Sequence, residues 1–310
     1  MKIKIYITTV FAATMFAACN SDNSIQPPYD QNKEFTIIAK LPEKATTRLI
    51  ASDDSEGSNY SMKFDWKETD KVNFYYVEKD ASWTSDKCAV ASLIDGDATF
   101  TLGKSPVASS YIYGCTSTSG INIKASKTSN GSATANFCVD CYTCISTSLS
   151  NIAYWNPMFG VVQENSSDTN IPSIMNFQNV CSLLKFTVTL PQGVKRVYTT
   201  IGDYDGKNDK PLKTRRNLVG RGSTGTFEFS DKNYSSDHEY ENWSSYYTSQ
   251  FPLAPTDNVL TFYVIMIPQT IHGLSIHLNE GGKDYGKSIH FDSPKVLEPG
   301  YMYGVKFTAN

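Results

Sequence analysis

The sequence predicts an all-β protein, built as two tandem β-sandwich domains behind an export signal. Three observations carry that prediction. Thr, Ser, Val, Ile and Tyr dominate, with 19 tyrosines and aromatics at 13% of 310 residues, which suits half-buried pleated surfaces better than helices. No run of apolar residues at helical spacing is longer than two turns. Short apolar or alternating stretches instead recur about every 8–12 residues with turn signals between them, and one-sided strands of that kind must pack face to face.

The signal comes first. Lys2 and Lys4 precede an apolar stretch from Ile5 to Met15, and Phe16-Ala17-Ala18-Cys19 closes it. A basic start, a short apolar core and small residues make a secretory signal, too short for an ordinary membrane span. The cysteine directly after Ala-Ala resembles the lipobox of bacterial lipoproteins, which implies removal of residues 1–18 and acylation of Cys19. Such an anchor would place the protein on the cell outer membrane, facing outward, with each buried methylene contributing about 0.8 kcal/mol. The remaining 292 residues suffice for one large domain or two of ordinary size. Losing Lys2 and Lys4 takes the formal charge from −3 to −5. No basic excess favours nucleic acid, and no second apolar run could span a bilayer.

Residues 19–33 read as a lipidated flexible tether, polar and with paired prolines. Glu34–Leu41 is the first run of strand length. Pro42–Asn59 reads as a loop, carrying Thr46-Thr47-Arg48 and then an acidic, glycine-containing stretch. Residues 62–77 read as strand, turn and strand. Asp95-Gly96-Asp97 marks a hairpin. Ser110–Tyr113 is a further strand, and 116–135 reads as loops around one short strand. The polar gap Glu164–Pro172 divides the chain into an N-terminal sandwich, 34–172, and a C-terminal one, 173–310. Beyond it, Leu183–Leu190 alternates cleanly, Val194–Ile201 follows, and Asp203–Gly225 reads as a basic, glycine-rich excursion. Leu260–Ile267 is apolar enough for a strand covered on both faces. Gly273–Leu278, Lys287–Phe291 and Tyr301–Thr308 complete the series.

Several of these pieces, in this order, resemble the fimbrillin family of Bacteroidales surface lipoproteins. They are the lipobox at Cys19, a strand leading to Thr46-Thr47-Arg48, and Trp66-Lys67-Glu68-Thr69-Asp70-Lys71-Val72, which looks like the family's W-x-x-x-D-x-[IV] strand entry. Phe177-Gln178-Asn179 ahead of Leu183–Val188 looks like the opening of its second domain. Glu298-Pro299-Gly300-Tyr301-Met302-Tyr303 resembles its closing pattern. The resemblance implies transthyretin-like sandwiches and partnership with other fimbrial subunits. It also implies proteolysis after an arginine, here Arg48, so that the first strand can leave and a neighbour's strand can fill the groove. An open groove exposes unpaired N–H and C=O groups and an apolar slot, which an added strand satisfies. The chain stops two residues after Thr308, which favours a tip, accessory or anchoring subunit over a stalk subunit.

Catalytic chemistry is sparse. No G-x-S-x-G, HExxH, phosphate loop or GxGxxG occurs, so neither an enzyme nor a cofactor is expected. Beyond Cys19 six cysteines remain, and Cys138-x-x-Cys141-x-x-Cys144 is the most unusual pattern, with Cys181 or Cys115 as a distant fourth thiol. Close thiolates can hold Zn²⁺ or an iron–sulfur cluster. On a strand, however, residue 141 faces away from 138 and 144, so disulfides or free thiols are expected and no metal. Asp203–Asp209 is a surface turn and not a Ca²⁺ loop, because Lys207 takes a ligand position. A different function class rests on Tyr240, Trp243, Tyr246 and Tyr247, which could stack on the sugar faces of a host or other glycan. The ordinary alternative folds those rings onto the adjacent sandwich.

Overall fold

The structure is a computed structural model. It describes residues 35–42, 47–52, 64–78, 83–107, 110–116, 124–126, 134–141, 144–164, 172–230, 243–253 and 258–309. The signal, the tether with Cys19, and Tyr240 lie outside the described residues.

The chain is all-β. Its first strands are β1 (Phe35–Lys40), β2 (Thr47–Ser52), β3 (Lys71–Val77), β4 (Trp83–Ala89), β5 (Ser92–Ile94), β6 (Asp97–Leu102), β7 (Tyr111–Thr116) and β8 (Lys124–Ser126). Then come β9 (Thr134–Asp140), β10 (Ile145–Ser146), the one described helix α1 (Leu149–Trp155), β11 (Met158–Gln163), β12 (Ser173–Asn179), β13 (Ser182–Thr189) and β14 (Arg196–Tyr204). The rest are β15 (Asp209–Lys210), β16 (Leu212–Arg221), β17 (Thr226–Ser230), β18 (Trp243–Ser245), β19 (Tyr247–Pro252), β20 (Val259–Met266), β21 (Thr270–Glu280), β22 (Lys283–Asp284), β23 (Lys287–Val296) and β24 (Met302–Thr308). Helix α1 spans under two turns, with the Ser148 hydroxyl accepting from the Asn151 N–H at 3.4 Å as its N-cap.

Four sheets result. The largest runs β4-β3-β7-β11-β12-β1-β6-β5. Phe74 on β3 and Phe100 on β6 sit at the second and seventh places of that order, yet their rings meet at 5.5 Å. The sheet therefore folds over on itself. Asp86 of β4 stitches the two ends, accepting from the Tyr76 hydroxyl and, at 3.0 Å, from the Gly103 N–H just past β6. The second sheet runs β10-β20-β13-β24-β2. A third is built on β14 and β21, with β15, β19, β22 and β23 beside them, and a fourth has β9 and β16 at its centre with β8, β17 and β18 around.

Sheet membership crosses the expected division at 172/173 in both directions. Strand β12 lies between β11 and β1, whereas β2 pairs in parallel with β24 and β9 pairs with β16. All described residues belong to one unit, Lys33–Asn310. Two hydrophobic cores form within it. The smaller lies inside the folded sheet, with Trp66, Phe74, Phe100, Met175 and Phe177 among its members. The larger is shared by all four sheets, and Phe186 and Phe262 stack within it at 4.7 Å.

Local patterns explain most strands. In β13, Leu184, Phe186 and Val188 are buried and Lys185 and Thr187 are not, the alternation of a one-sided strand. The Asp95-Gly96 hairpin forms between β5 and β6, with both residues at positive φ (53° and 90°), as a two-residue turn of the primed type demands. Two loop expectations are overturned. Residues 212–221 of the supposed excursion form β16, an internal strand ten residues long. Its Leu212, Thr214 and Leu218 are buried, while Lys213 and Arg215 are half-buried, their stems lying along the sheet. Arg48 lies in β2, not in a loop: it is opposite Tyr303 at the edge of the second sheet. In β16 the half-buried Lys213, Arg215 and Arg216 interrupt the apolar pattern, which makes a strand look like a loop.

Candidate functional site

The strongest candidate is the slot that β1 fills. Strand β1 runs parallel to β12, from Ile37 opposite Ser173 to Lys40 opposite Asn176, and antiparallel to β6, from Phe35 opposite Leu102 to Ala39 opposite Ala98. Both backbone edges are thus used. Ile37 and Ala39 are fully buried, and the outward residues are polar or half-exposed. Lys40 ends the strand with an exposed ion pair to Asp97 at 3.5 Å, worth little at such a surface.

The walls of the slot are aromatic and come from other strands. Trp66 is 7% exposed and meets Phe100 and Phe177 edge to face, both at 5.5 Å. Its indole N–H donates to the Ala39 carbonyl at 3.1 Å. The turn that delivers it is fixed by Asp70, whose carboxylate accepts from the Lys67 N–H at 2.9 Å and whose N–H donates to the Lys67 carbonyl. In the W-x-x-x-D motif, then, the tryptophan holds β1 and the aspartate makes the turn into β3. Gly114 and Gly160 face each other on β7 and β11. A methyl group at either would press on the Met175 side chain within 2.7 Å, so their bareness lets β12 lie close.

The other two family-like pieces are also structural joints. Asn179 accepts from the Asn156 amide at 2.5 Å, and Gln178 donates to the Gly225 carbonyl at 3.1 Å. At the chain's end, the Gly300 N–H reaches the Cys181 carbonyl, Ser182 donates to the Glu298 carbonyl, and the Tyr303 hydroxyl bridges Val296 and Glu298. Strand β24 is held in parallel on both sides, by β13 and β2.

Arg48 connects to this slot through the chain. The bond after it lies in an edge strand paired on one side only, and the pairing with β24 is irregular between Leu49 and Ala51. A protease must take its substrate as an unpaired extended segment, so β2 has to peel from β24 before cleavage. An edge strand with a bulge is the kind that peels most readily.

Of the predicted aromatic patch, Tyr240 and the Trp243 side chain lie outside what is described, which leaves Tyr246 and Tyr247. Tyr247 is fully buried, its hydroxyl donating to the Lys213 carbonyl at 3.4 Å. The Tyr246 ring lies over Gly202, where a methyl group would come within 2.7 Å of it, and its hydroxyl donates to the Asp209 carbonyl. The backbone of Trp243 lies in β18, beside β16. Core packing thus explains Tyr247, since a buried ring offers no face to a sugar, whereas Tyr246 is half-buried.

Two further constellations come together in the structure, and of these the sequence reading singles out only the cysteines. His277 sits between Asp284, 2.5 Å from Nδ1, and Asp209, 2.8 Å from Nε2, with Ser275 Oγ also 3.0 Å from Nε2. Hydrogen bonding to Asp284 holds the imidazole pKa above its usual value, against burial, and Asp209 adds to it. Ser275 is fully buried, and an imidazolium donating both protons to carboxylates cannot take the Ser275 proton. This grouping pins two short hairpins to β21 and does not activate a nucleophile. Nearby, Asp203 accepts from the backbone of His272 and Gly273 and lies 3.0 Å from His272 Nδ1. The second constellation is Cys141, Cys144 and Cys181, which meet in the larger core, while Cys138 and Cys115 lie elsewhere on β9 and β7. Among the described residues no group of three or more His, Cys, Asp or Glu is placed to hold a metal ion, and no helix is long and apolar enough to cross a membrane.

No family profile matches the chain, and no curated protein is significantly similar to it. Solved structures do align along most of its length. A "putative cell adhesion protein" from Bacteroides ovatus shares 11% identity over 89% of this chain and 92% of its own, with a TM-score of 0.47. A "putative adhesin" from the same species shares 11% over 92% and 90%, at 0.45. A structure described as "putative polysaccharide binding proteins" from Bacteroides thetaiotaomicron shares 9% over 89% of each, at 0.41. At such identities and TM-scores the alignments carry no functional argument, and the reading below rests on this chain's own residues.

Proposed function

We propose that this chain is a fimbrillin-like structural or adhesive subunit, carried to the outer membrane on acylated Cys19, which joins its neighbours by strand complementation in the β1 slot once a cut after Arg48 releases β1 together with that anchor. One observation carries the reading: β1 gives the small core two fully buried side chains, Ile37 and Ala39, and the partly buried Phe35, while the other aromatic walls and both backbone edges belong to segments that stay behind. A socket of this kind outlasts its plug. Strand β24 is committed to its own sheet on both sides, which favours a tip, accessory or anchoring place over a stalk place. On this reading the chain is not an enzyme and needs no cofactor or nucleic acid. Its partners are other subunits and the membrane.

The test is strand exchange. Purified protein is cut with a trypsin-like protease and the new N-terminus is sequenced. The cut protein is then loosened in sub-denaturing urea and offered a labelled peptide spanning residues 33–42. The expected result is cleavage after Arg48, release of the natural β1 fragment and stable capture of the peptide, with capture abolished by Ile37→Asp in the peptide. A charge at that position would be buried without a partner. Cleavage with no exchange at any urea concentration below unfolding would sink the complementation reading.

A further inference from the structure

We propose that Cys141 and Cys181 form a structural disulfide when the protein folds in an oxidising compartment. The two sulfurs lie 3.7 Å apart, with nothing but each other's chains to cross. A disulfide needs about 2.05 Å, so closure asks for less than 2 Å of movement. Both residues sit where the backbone can give that much. Cys141 directly follows the last residue of β9, and Cys181 occupies the turn between β12 and β13. Backbone bonds anchor both, from the Cys141 N–H to Thr214, from the Cys144 N–H to the Cys141 carbonyl and from the Gly300 N–H to the Cys181 carbonyl, which holds the pair in register without locking its side chains.

The chemistry is a thiol–disulfide exchange in two steps. The thiolate of one cysteine attacks a disulfide-bearing oxidant, RSSR, giving a mixed disulfide and one RSH. The second thiolate then displaces the other RS⁻, which leaves as RSH. Two protein thiols and RSSR thus become one protein disulfide and two RSH. In the finished fold this is slow, because both sulfurs are buried, at 0% and 2% exposure. For Cys141 a bond with Cys144 lowers the thiol pKa, but the bond with Cys181 and full burial together push it well above its usual value. Thiolate is the attacking species, so the bond must form before the core closes and is sealed afterwards. Cys144 is the competing partner. Its N–H donates to the Cys141 carbonyl at 3.1 Å in a tight turn. That turn offers a ring of four residues, against a separation of 40 for Cys181, and longer loops gain more from a cross-link.

The staple would join the connection after β9 to the turn between β12 and β13. It would thereby tie the fourth sheet to the strand beside the β1 slot. The test uses the whole mature chain. Reduced, unfolded protein is refolded with a mixture of oxidised and reduced glutathione, trapped with an alkylating agent and digested without reduction. The expected product lacks two alkylatable thiols and yields a peptide linking Cys141 to Cys181. Cys144→Ser keeps that link, whereas Cys181→Ser loses it. The oxidised protein should melt roughly 5–10 °C above the reduced one. Six free thiols after oxidative refolding, or a dominant Cys141–Cys144 link, would overturn the proposal. The experiment needs neither export nor assembly, so its failure leaves the surface-subunit reading standing, and the reverse also holds.

Discussion

The two cores of this protein are built on different terms. The smaller has 14 buried members among the described residues, enclosed by one sheet folded on itself. Its aromatic rings meet edge to face, and β1 supplies two buried aliphatic side chains and the partly buried Phe35. The larger has 42, drawn from all four sheets. Its last strand, β24, gives Met302, Tyr303, Val305 and Phe307. Losing β1 removes Ile37, Ala39 and the partly buried Phe35 and leaves two backbone edges bare in the middle of a sheet. Losing β24 would empty four pockets at once. The first loss can be repaired by another strand, because hydrogen-bonding edges are generic. The second needs a matched set of side chains. On the proposed reading, exchange would rest on the two generic backbone edges more than on the few side chains β1 brings.

The largest expected effect comes from striking each core in turn. Trp66→Ala and Phe262→Ala should each destabilise by about 3–5 kcal/mol in urea unfolding. Their hydrogen-exchange patterns should differ. The first should strip protection from β1 and β6 and spare β13 and β20; the second should lower protection throughout. Identical patterns would show the cores to be one cooperative unit and erase the comparison.

A middle-sized effect tests the seam of the larger core. Arg215 reaches from β16 to Asp140 on β9, with Nη2 at 2.5 Å and Nε at 2.9 Å from one carboxylate oxygen. The carboxylate is 11% exposed, so Arg215→Ala strands a mostly desolvated charge and should cost about 1–3 kcal/mol. Asp140→Asn in the same background should return part of that loss, as a double-mutant cycle would register. If Arg215→Ala alone is neutral, the pair does not hold the fourth sheet together.

The smallest effect is a pH dependence confined to the larger core. His277 lies on β21, and its sheet contributes residues only to that core. Its folded pKa is raised, so its stabilisation is full below the unfolded value of about 6.5 and is lost as pH rises through the folded value. Asp284 behaves oppositely. Burial opposes ionisation, but bonds from His277, Leu278 and Gly286 outweigh it and lower its pKa. Its contribution is present above about pH 4 and fades as pH falls through its folded value. His277→Gln should flatten the alkaline loss without altering β1 exchange. A change in β1 protection would show that the third sheet supports the slot.

Much of this was legible in the chain. Alternating or apolar runs announced β13, β20 and β24, and Asp-Gly announced the hairpin. The family-like motifs marked Trp66, Phe177 and Gly300, all of which are joints. Strand β16 was hidden because its half-buried charges lean outward along the sheet, so that hydropathy read a loop. Strand β2 was hidden for a similar reason, an edge needing only one partner. For the aromatic cluster the sequence leaves two fates open, because tyrosine is equally at home stacked on a sugar or tucked into a core, and burial assigns the second to Tyr247. The meeting of Cys141 with Cys181, and of His277 with two aspartates, depends on sheet order across distances no local pattern records.

The bond from the Trp66 indole to the Ala39 carbonyl sets how strictly the slot can choose its occupant. Every residue, proline included, has that carbonyl, so the tryptophan checks only that an extended backbone is present. Choice is left to the inward side chains, Ile37 and Ala39 with the partly buried Phe35 before them. On the proposed reading, a strand with an aromatic or large apolar residue, then a medium aliphatic one and then a small one at alternate places would satisfy the slot, and the rest of its sequence would be free to vary.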